Sequence, residues 1–94
     1  GAVSVYDPAD GSWRSWPLPG ERARAYSVYV DDQDVVWLTD FGSNAILRFD
    51  PEAEAFEAFP SDRPNAAVRQ MLGRPGEVWG AESGTDRLVR IRTR

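Results

Sequence analysis

The sequence predicts an all-β chain of short antiparallel strands, and three observations carry that prediction. Polar and apolar residues alternate in brief runs such as Val3-Ser4-Val5-Tyr6 and Ser12-Trp13-Arg14-Ser15-Trp16, the period of a half-buried strand. No stretch keeps a 3.6-residue apolar period long enough for a helix. The chain also repeats itself. Val36-Trp37-Leu38-Thr39-Asp40-Phe41-Gly42-Ser43-Asn44-Ala45-Ile46-Leu47-Arg48 returns 42 residues later as Val78-Trp79-Gly80-Ala81-Glu82-Ser83-Gly84-Thr85-Asp86-Arg87-Leu88-Val89-Arg90, with no gap. A strand-rich repeat of roughly 40–45 residues marks β-propeller blades, so the expected architecture is about two four-stranded antiparallel blades. A small β-sandwich would also hold this many strands, but it has no reason to repeat Trp-acid-Gly.

Each strand has its own signal. The first two, residues 3–6 and 12–16, flank Asp7-Pro8-Ala9-Asp10-Gly11, where proline presets its φ and Asp can bond the following backbone. The second strand is expected to carry Trp13 and Trp16 on one side. Residues 26–30 and 35–39 are rich in Val, Tyr and Trp around the polar turn Asp31 to Asp34. Residues 45–49 lead into a second Asp-Pro turn at Asp50-Pro51, and residues 55–59 follow. The last three strands fall at 67–72, 77–81 and 87–91, split by Pro75-Gly76 and by Gly84-Thr85-Asp86.

The two Asp-Pro turns lie 43 residues apart, and at that offset Trp13, Trp16 and Pro17 match Phe56, Phe59 and Pro60. Tyr26 is aligned with Val68 at 42, which places the lost residue in the preceding loop. With blade strands labelled A to D from inner to outer, the phase is C-D/A-B-C-D/A-B-C. Residues 1–17 end one blade, 25–59 make a complete one and 67–91 make an incomplete last one, all in a single partial-propeller domain. Two blades cannot close a ring, and the terminal blades would leave apolar faces and strand edges uncovered. A homo-oligomer, a strand-swapped assembly or pairing with N-terminal blades of a parent protein is therefore expected. Three copies would give a six-bladed ring if a redundant strand detaches.

Composition narrows function by exclusion. The chain has 94 residues, 15 acidic against 11 basic side chains, all Arg, and a net charge of −4. That balance argues against a nucleic-acid partner. No apolar run is long enough for a transmembrane helix, so a soluble protein is expected, with cytoplasm and secretion or periplasm both open. Without cysteine there are no disulfides or thiolate metal sites, and without histidine no Ser-His-acid arrangement. No glycine-rich phosphate loop is present.

At Trp37-Leu38-Thr39-Asp40, Asn44, Ile46, Arg48-Phe49-Asp50-Pro51 and Phe59-Pro60 the chain resembles the streptogramin B (virginiamycin B) lyase family of propellers, with NHL and gluconolactonase-type propellers as broader relatives in style. The resemblance spans nearly the whole chain and rests on a W-x-T-E/D…N-x-I-x-R-x-D-P…F-x-x-P pattern. It implies a bacterial, seven-bladed parent that opens a cyclic depsipeptide by elimination, a carbon–oxygen lyase reaction, with Mg²⁺ and a histidine base. No residue here can be that base, so the catalytic residues are unassigned and the isolated chain is expected to be inactive; a non-catalytic propeller binding module and a self-assembling propeller fragment without ligand are the alternatives.

Candidate site residues follow from the blade phase. Asp40 and Glu82 end equivalent B strands, on the face shared by B–C turns and D–A loops. They could hold Mg²⁺ or Ca²⁺ through oxygen, or each could cap the turn containing Gly42 or Gly84; the resemblance, whose metal ligands are acids on this face, favours Glu82 of the two. Asn44 and Asp86 suit a left-handed turn position, and Asn44 is also a ligand-binding candidate beside the arginines of this face. Arg24, Arg63 and Arg69, with Arg22, fall on or near the D–A loops, where Arg could bind an anionic or carbonyl-bearing ligand. Trp37 and Trp79 are expected in the core between blades.

Overall fold

The structure is a computed structural model and describes residues 1–93. Nine strands form and no helix occurs among the described residues. The strands are β1 (Ala2–Asp7), β2 (Ser12–Pro17), β3 (Ala25–Val30), β4 (Val36–Asp40), β5 (Ala45–Asp50), β6 (Ala55–Pro60), β7 (Val68–Arg74), β8 (Glu77–Glu82) and β9 (Arg87–Arg92). They make three antiparallel sheets, β1-β2, β3-β4-β5-β6 and β7-β8-β9, which is the expected phase of an all-β partial propeller.

The two central strands of the middle sheet, β4 and β5, are covered on both faces. One face carries Trp37 and Ile46, with Tyr29 and Phe59 beside them, and packs on Val68, Met71 and Val78 of the last sheet. The other carries Leu38, Leu47 and Phe49 and packs on Val3 and Trp16 of the first sheet, with Leu18 from the intervening loop. Side chains alternate across a strand, so β4 and β5 read as nearly continuous apolar runs because both parities are buried. The inner strands β3 and β7 lie against each other, as adjacent blades do around a shared axis.

The register corrects two expectations. Ala25 pairs with Asp40 and Val28 with Leu38, while Val68 pairs with Glu82 and Met71 with Gly80. The same one-residue bulge thus recurs in both inner strands, and Ala25, not Tyr26, is the counterpart of Val68. The 43-residue offset persists through β3, and the residue is lost in the next hairpin. There, Asp32–Asp34 forms a three-residue loop where the last sheet needs only Pro75-Gly76. Gly76 has φ 87°, the left-handed position that a tight Pro-Gly turn requires.

The second correction concerns the tryptophans. Residues three apart in a strand point to opposite faces. Trp16 packs on Phe49, with ring centroids 4.8 Å apart, whereas Trp13 turns outward against Tyr6 and is 68% exposed. Trp37 is buried between blades as expected, at 1% exposure. Trp79 is only half-buried, because its face of the last sheet has no sheet against it.

Candidate functional site

The repeated Trp-acid-Gly segment closes each blade onto the loop that precedes it. Asp40 ends β4, and its side chain is 1% exposed. Its Oδ1 accepts the backbone N–H groups of Arg24 at 2.8 Å and Gly42 at 2.9 Å, and its Oδ2 accepts the Ser43 hydroxyl at 2.8 Å. Burial pushes the Asp40 carboxyl up, but the Arg24 amide, the Ser43 hydroxyl and the Gly42 amide outweigh it and hold it below the ordinary carboxylate value. Glu82 repeats the pattern with a longer side chain. Its Oε1 accepts the Thr85 hydroxyl at 2.7 Å and Arg87 Nη2 at 3.3 Å, and Arg87 also bonds Asp62.

The glycines in this segment answer to close approach. A Cβ on Gly42 would sit 1.7 Å from the carbonyl oxygen of Arg22, and one on Gly84 1.9 Å from that of Asn65. Arg22 and Asn65 are themselves repeat counterparts, so the same loop presses on the same turn in both blades. Asn44 and Asp86 adopt φ of 55° and 58°, the expected left-handed turn conformation. Asn44 does more. Its Nδ2 donates to the carbonyl of Arg63 at 2.7 Å and its Oδ1 accepts the Ala66 N–H at 3.0 Å, which fastens the middle blade to the loop entering the last one.

A cavity of about 180 Å³ opens at this end, between the middle and last sheets. Arg24, Asp40, Asn44 and Glu82 all border it, so these four of the residues singled out from the sequence come together. Arg63 and Arg69 do not line it: Arg63 contributes its carbonyl to Asn44, and Arg69 lies exposed on β7. Ser61 and Asn65 also line the cavity, and Ile46, Phe59 and Val89 give it an apolar floor. The repeat could not point to Ser61 and Asn65, since loop positions lack a periodic signal.

A third buried acid stands apart. Asp31, 8% exposed, accepts Trp37 Nε1–H at 2.9 Å and the backbone N–H groups of Gln33 and Val35 at 2.9 and 3.0 Å. It ties the inner hairpin to the buried indole.

The donor set does not fit a hard cation. Mg²⁺ and Ca²⁺ take roughly six or more oxygens, from waters and carbonyls as well as from at least one or two carboxylates free to turn to the ion. Both Asp40 oxygens are already occupied by protein donors, and Glu82 faces the Arg87 guanidinium. No group of three or more His, Cys, Asp or Glu residues that could hold a metal occurs among the described residues. These contacts are those of turn caps.

With blades, phase and loop end in place, the comparison with solved structures is specific for architecture. The crystal structure of selenomethionine-substituted virginiamycin B lyase from Staphylococcus aureus superposes with a TM-score of 0.88 over 98% of this chain, at 24% sequence identity. The fold is that of virginiamycin B lyase's β-propeller blades. The chain spans 31% of that protein's length. No protein-family model matches the chain, and no curated protein matches it. No helix among the described residues is long and apolar enough to cross a membrane.

Proposed function

We propose that this chain is part of a virginiamycin B lyase-like propeller and forms one wall of a ligand site at the loop end of its blades, without carrying out the reaction itself. The observation that supports this reading is the cavity between the middle and last sheets, with Arg24, Asn44 and Asn65 at a polar rim over an apolar floor. Such a lining suits a ligand with carbonyl or hydroxyl groups beside apolar bulk. Asp40 and Glu82 act in it as supports, because both Asp40 oxygens and Glu82 Oε1 are engaged in holding the turns. A chain with no histidine brings no imidazole base, so proton abstraction in a complete site falls to residues of other blades. A metal ion in such a site would likewise draw its ligands from beyond Asp40 and Glu82.

The test is a titration of the ¹⁵N-labelled chain with virginiamycin B, with and without Mg²⁺, followed by mass spectrometry of the antibiotic. The expected result is saturable shifts at the Arg24, Asn44 and Asn65 amides with the antibiotic recovered intact. Absence of shifts at these residues, or recovery of ring-opened antibiotic, would contradict the reading.

A further inference from the structure

The blade repeat accounts for both oxygens of Asp40 and leaves one oxygen of Glu82 without a task. In the middle blade, the Arg24 and Gly42 amides and the Ser43 hydroxyl between them occupy Oδ1 and Oδ2 of Asp40. In the last blade the equivalent backbone donors are lost to the acid. Gly84 N–H donates to the carbonyl of Ala66 at 2.9 Å, where Gly42 N–H donates to the carboxylate. Ala67 stands where Arg24 does, but with φ 53°, a left-handed conformation that Arg24 does not share. Glu82 Oε1 accepts the Thr85 hydroxyl and Arg87 Nη2. Oε2 accepts no donor among the described residues.

Glu82 is 5% exposed and borders the cavity between the middle and last sheets. Among the described residues, Arg87 Nε is the one side-chain N or O atom that is sealed off without a partner. Oε2 is therefore unbonded yet reachable. A buried carboxylate oxygen costs stability when nothing bonds to it. Water meets that need in a polar cavity, and so does a ligand donor that displaces the water.

We propose that Glu82 Oε2 accepts a neutral N–H of the ligand, and that the group bound there is a secondary amide with an apolar branch, as in a peptide. Arg87 already balances the Glu82 charge, which disfavours an ammonium group at this point. A carboxylate accepts and does not donate, so it turns away a carbonyl oxygen offered in the same place. Arg24 at the rim has donors for the amide carbonyl, and Ile46, Phe59 and Val89 receive the branch. With about 180 Å³, the cavity has room for one such unit. A site with a buried polar group rejects an analogue that cannot bond it far more strongly than an apolar pocket rejects a change in size. Glu82 thus sets the selectivity of the cavity. This proposal rests on the reading of the cavity as a ligand site and adds which ligand group enters it.

Two small amides titrated into the full 94-residue chain test it. N-isobutylacetamide carries the N–H, and N-isobutyl-N-methylacetamide lacks it. Binding is read from the ¹³C shift of the Glu82 carboxyl and from the Glu82 and Thr85 backbone amides. The first probe should move the carboxyl resonance and bind at least about tenfold more tightly, a factor within reach of one hydrogen bond to a charged acceptor. In Glu82→Gln, which keeps an acceptor for Thr85 and removes the charge, that preference should vanish. Equal binding of the two amides, or binding of neither, overturns the proposal. So does a preference that persists in Glu82→Gln, which would come from the bulk of the N-methyl group. Virginiamycin B separates this proposal from the reading it rests on. Shifts at Arg24, Asn44 and Asn65 with an unmoved Glu82 carboxyl would keep the ligand wall and overturn the role of Glu82. Discrimination between the amides without any response to the antibiotic would support the role of Glu82 and remove the antibiotic as ligand.

Discussion

The Asp40 carboxylate reaches 16 positions back along the chain to accept the backbone N–H of Arg24 at 2.8 Å. One buried side chain thereby joins the end of β4, the turn that follows it and the loop that leads into the blade. An acid in this position looks like chemistry when the sequence is read alone, and its bonds make it a structural brace. Asp40→Ala leaves three donors without their acceptor. Hydrogen bonds to charged groups contribute about 1.5–3 kcal/mol each and are not additive, so a loss of about 3 kcal/mol is expected in urea unfolding. Asp40→Asn, which keeps Oδ1, should lose about half as much.

Gly42 and Gly84 admit no side chain. Any Cβ would overlap the carbonyl oxygen of the loop above it, and backbone cannot move aside as a flexible side chain can. Gly42→Ala is expected to destabilise the fold by about 3 kcal/mol or more, in the range of severe steric substitutions. Gly11→Ala, where nothing lies within 4 Å of the added Cβ, should cost only the strain of a left-handed alanine, about 1 kcal/mol. Thermal melts of the two variants give the comparison.

Acid should unfold the chain through two carboxylates. Burial raises Asp31, but the Trp37 indole and the Val35 and Gln33 amides more than offset it, so Asp31 joins Asp40 below the ordinary value of 3.8. A carboxyl with a depressed folded pKa contributes stability that is full above its unfolded value and is lost as pH falls through the folded one. Stability should therefore be level from neutral pH to about pH 5 and fall below about pH 4. Asp31→Asn and Asp40→Asn should each flatten that acid limb while lowering the plateau.

Divalent cations should have no effect on stability. A ligand that binds the folded state raises the melting temperature with its concentration. With Asp40 and Glu82 engaged by protein donors, millimolar Mg²⁺ or Ca²⁺ should leave the melting curve in place. A rise of several degrees that Glu82→Gln abolishes would reveal a metal site.

Much of the architecture was legible because blades are built by alternation and by Asp-Pro turns, both local signals. The strand phase, the Asn44 and Asp86 turn conformation and the burial of Trp37 all come from such signals. The inner-strand register was hidden, because a bulge adds a residue in β3 and β7 alike while the loss falls in the next hairpin. Asp31 was hidden for a different reason. Its aligned positions in the last blade carry no acid, so comparison of repeats drew attention away from it. The cavity brings Arg24, Asp40, Asn44 and Glu82 together, but Ser61 and Asn65 enter it from a loop whose path only the packed blades define.

The account turns on repeat acids that brace the blade, and Asp40 tests it most directly. In a ¹⁵N NMR titration from neutral to acid pH, the Arg24 and Gly42 amides should move together with one midpoint below 3.8, the value from which burial and donors displace the carboxyl. Amides at Arg24 and Gly42 that ignore that titration, or a shared midpoint above 3.8, would contradict it.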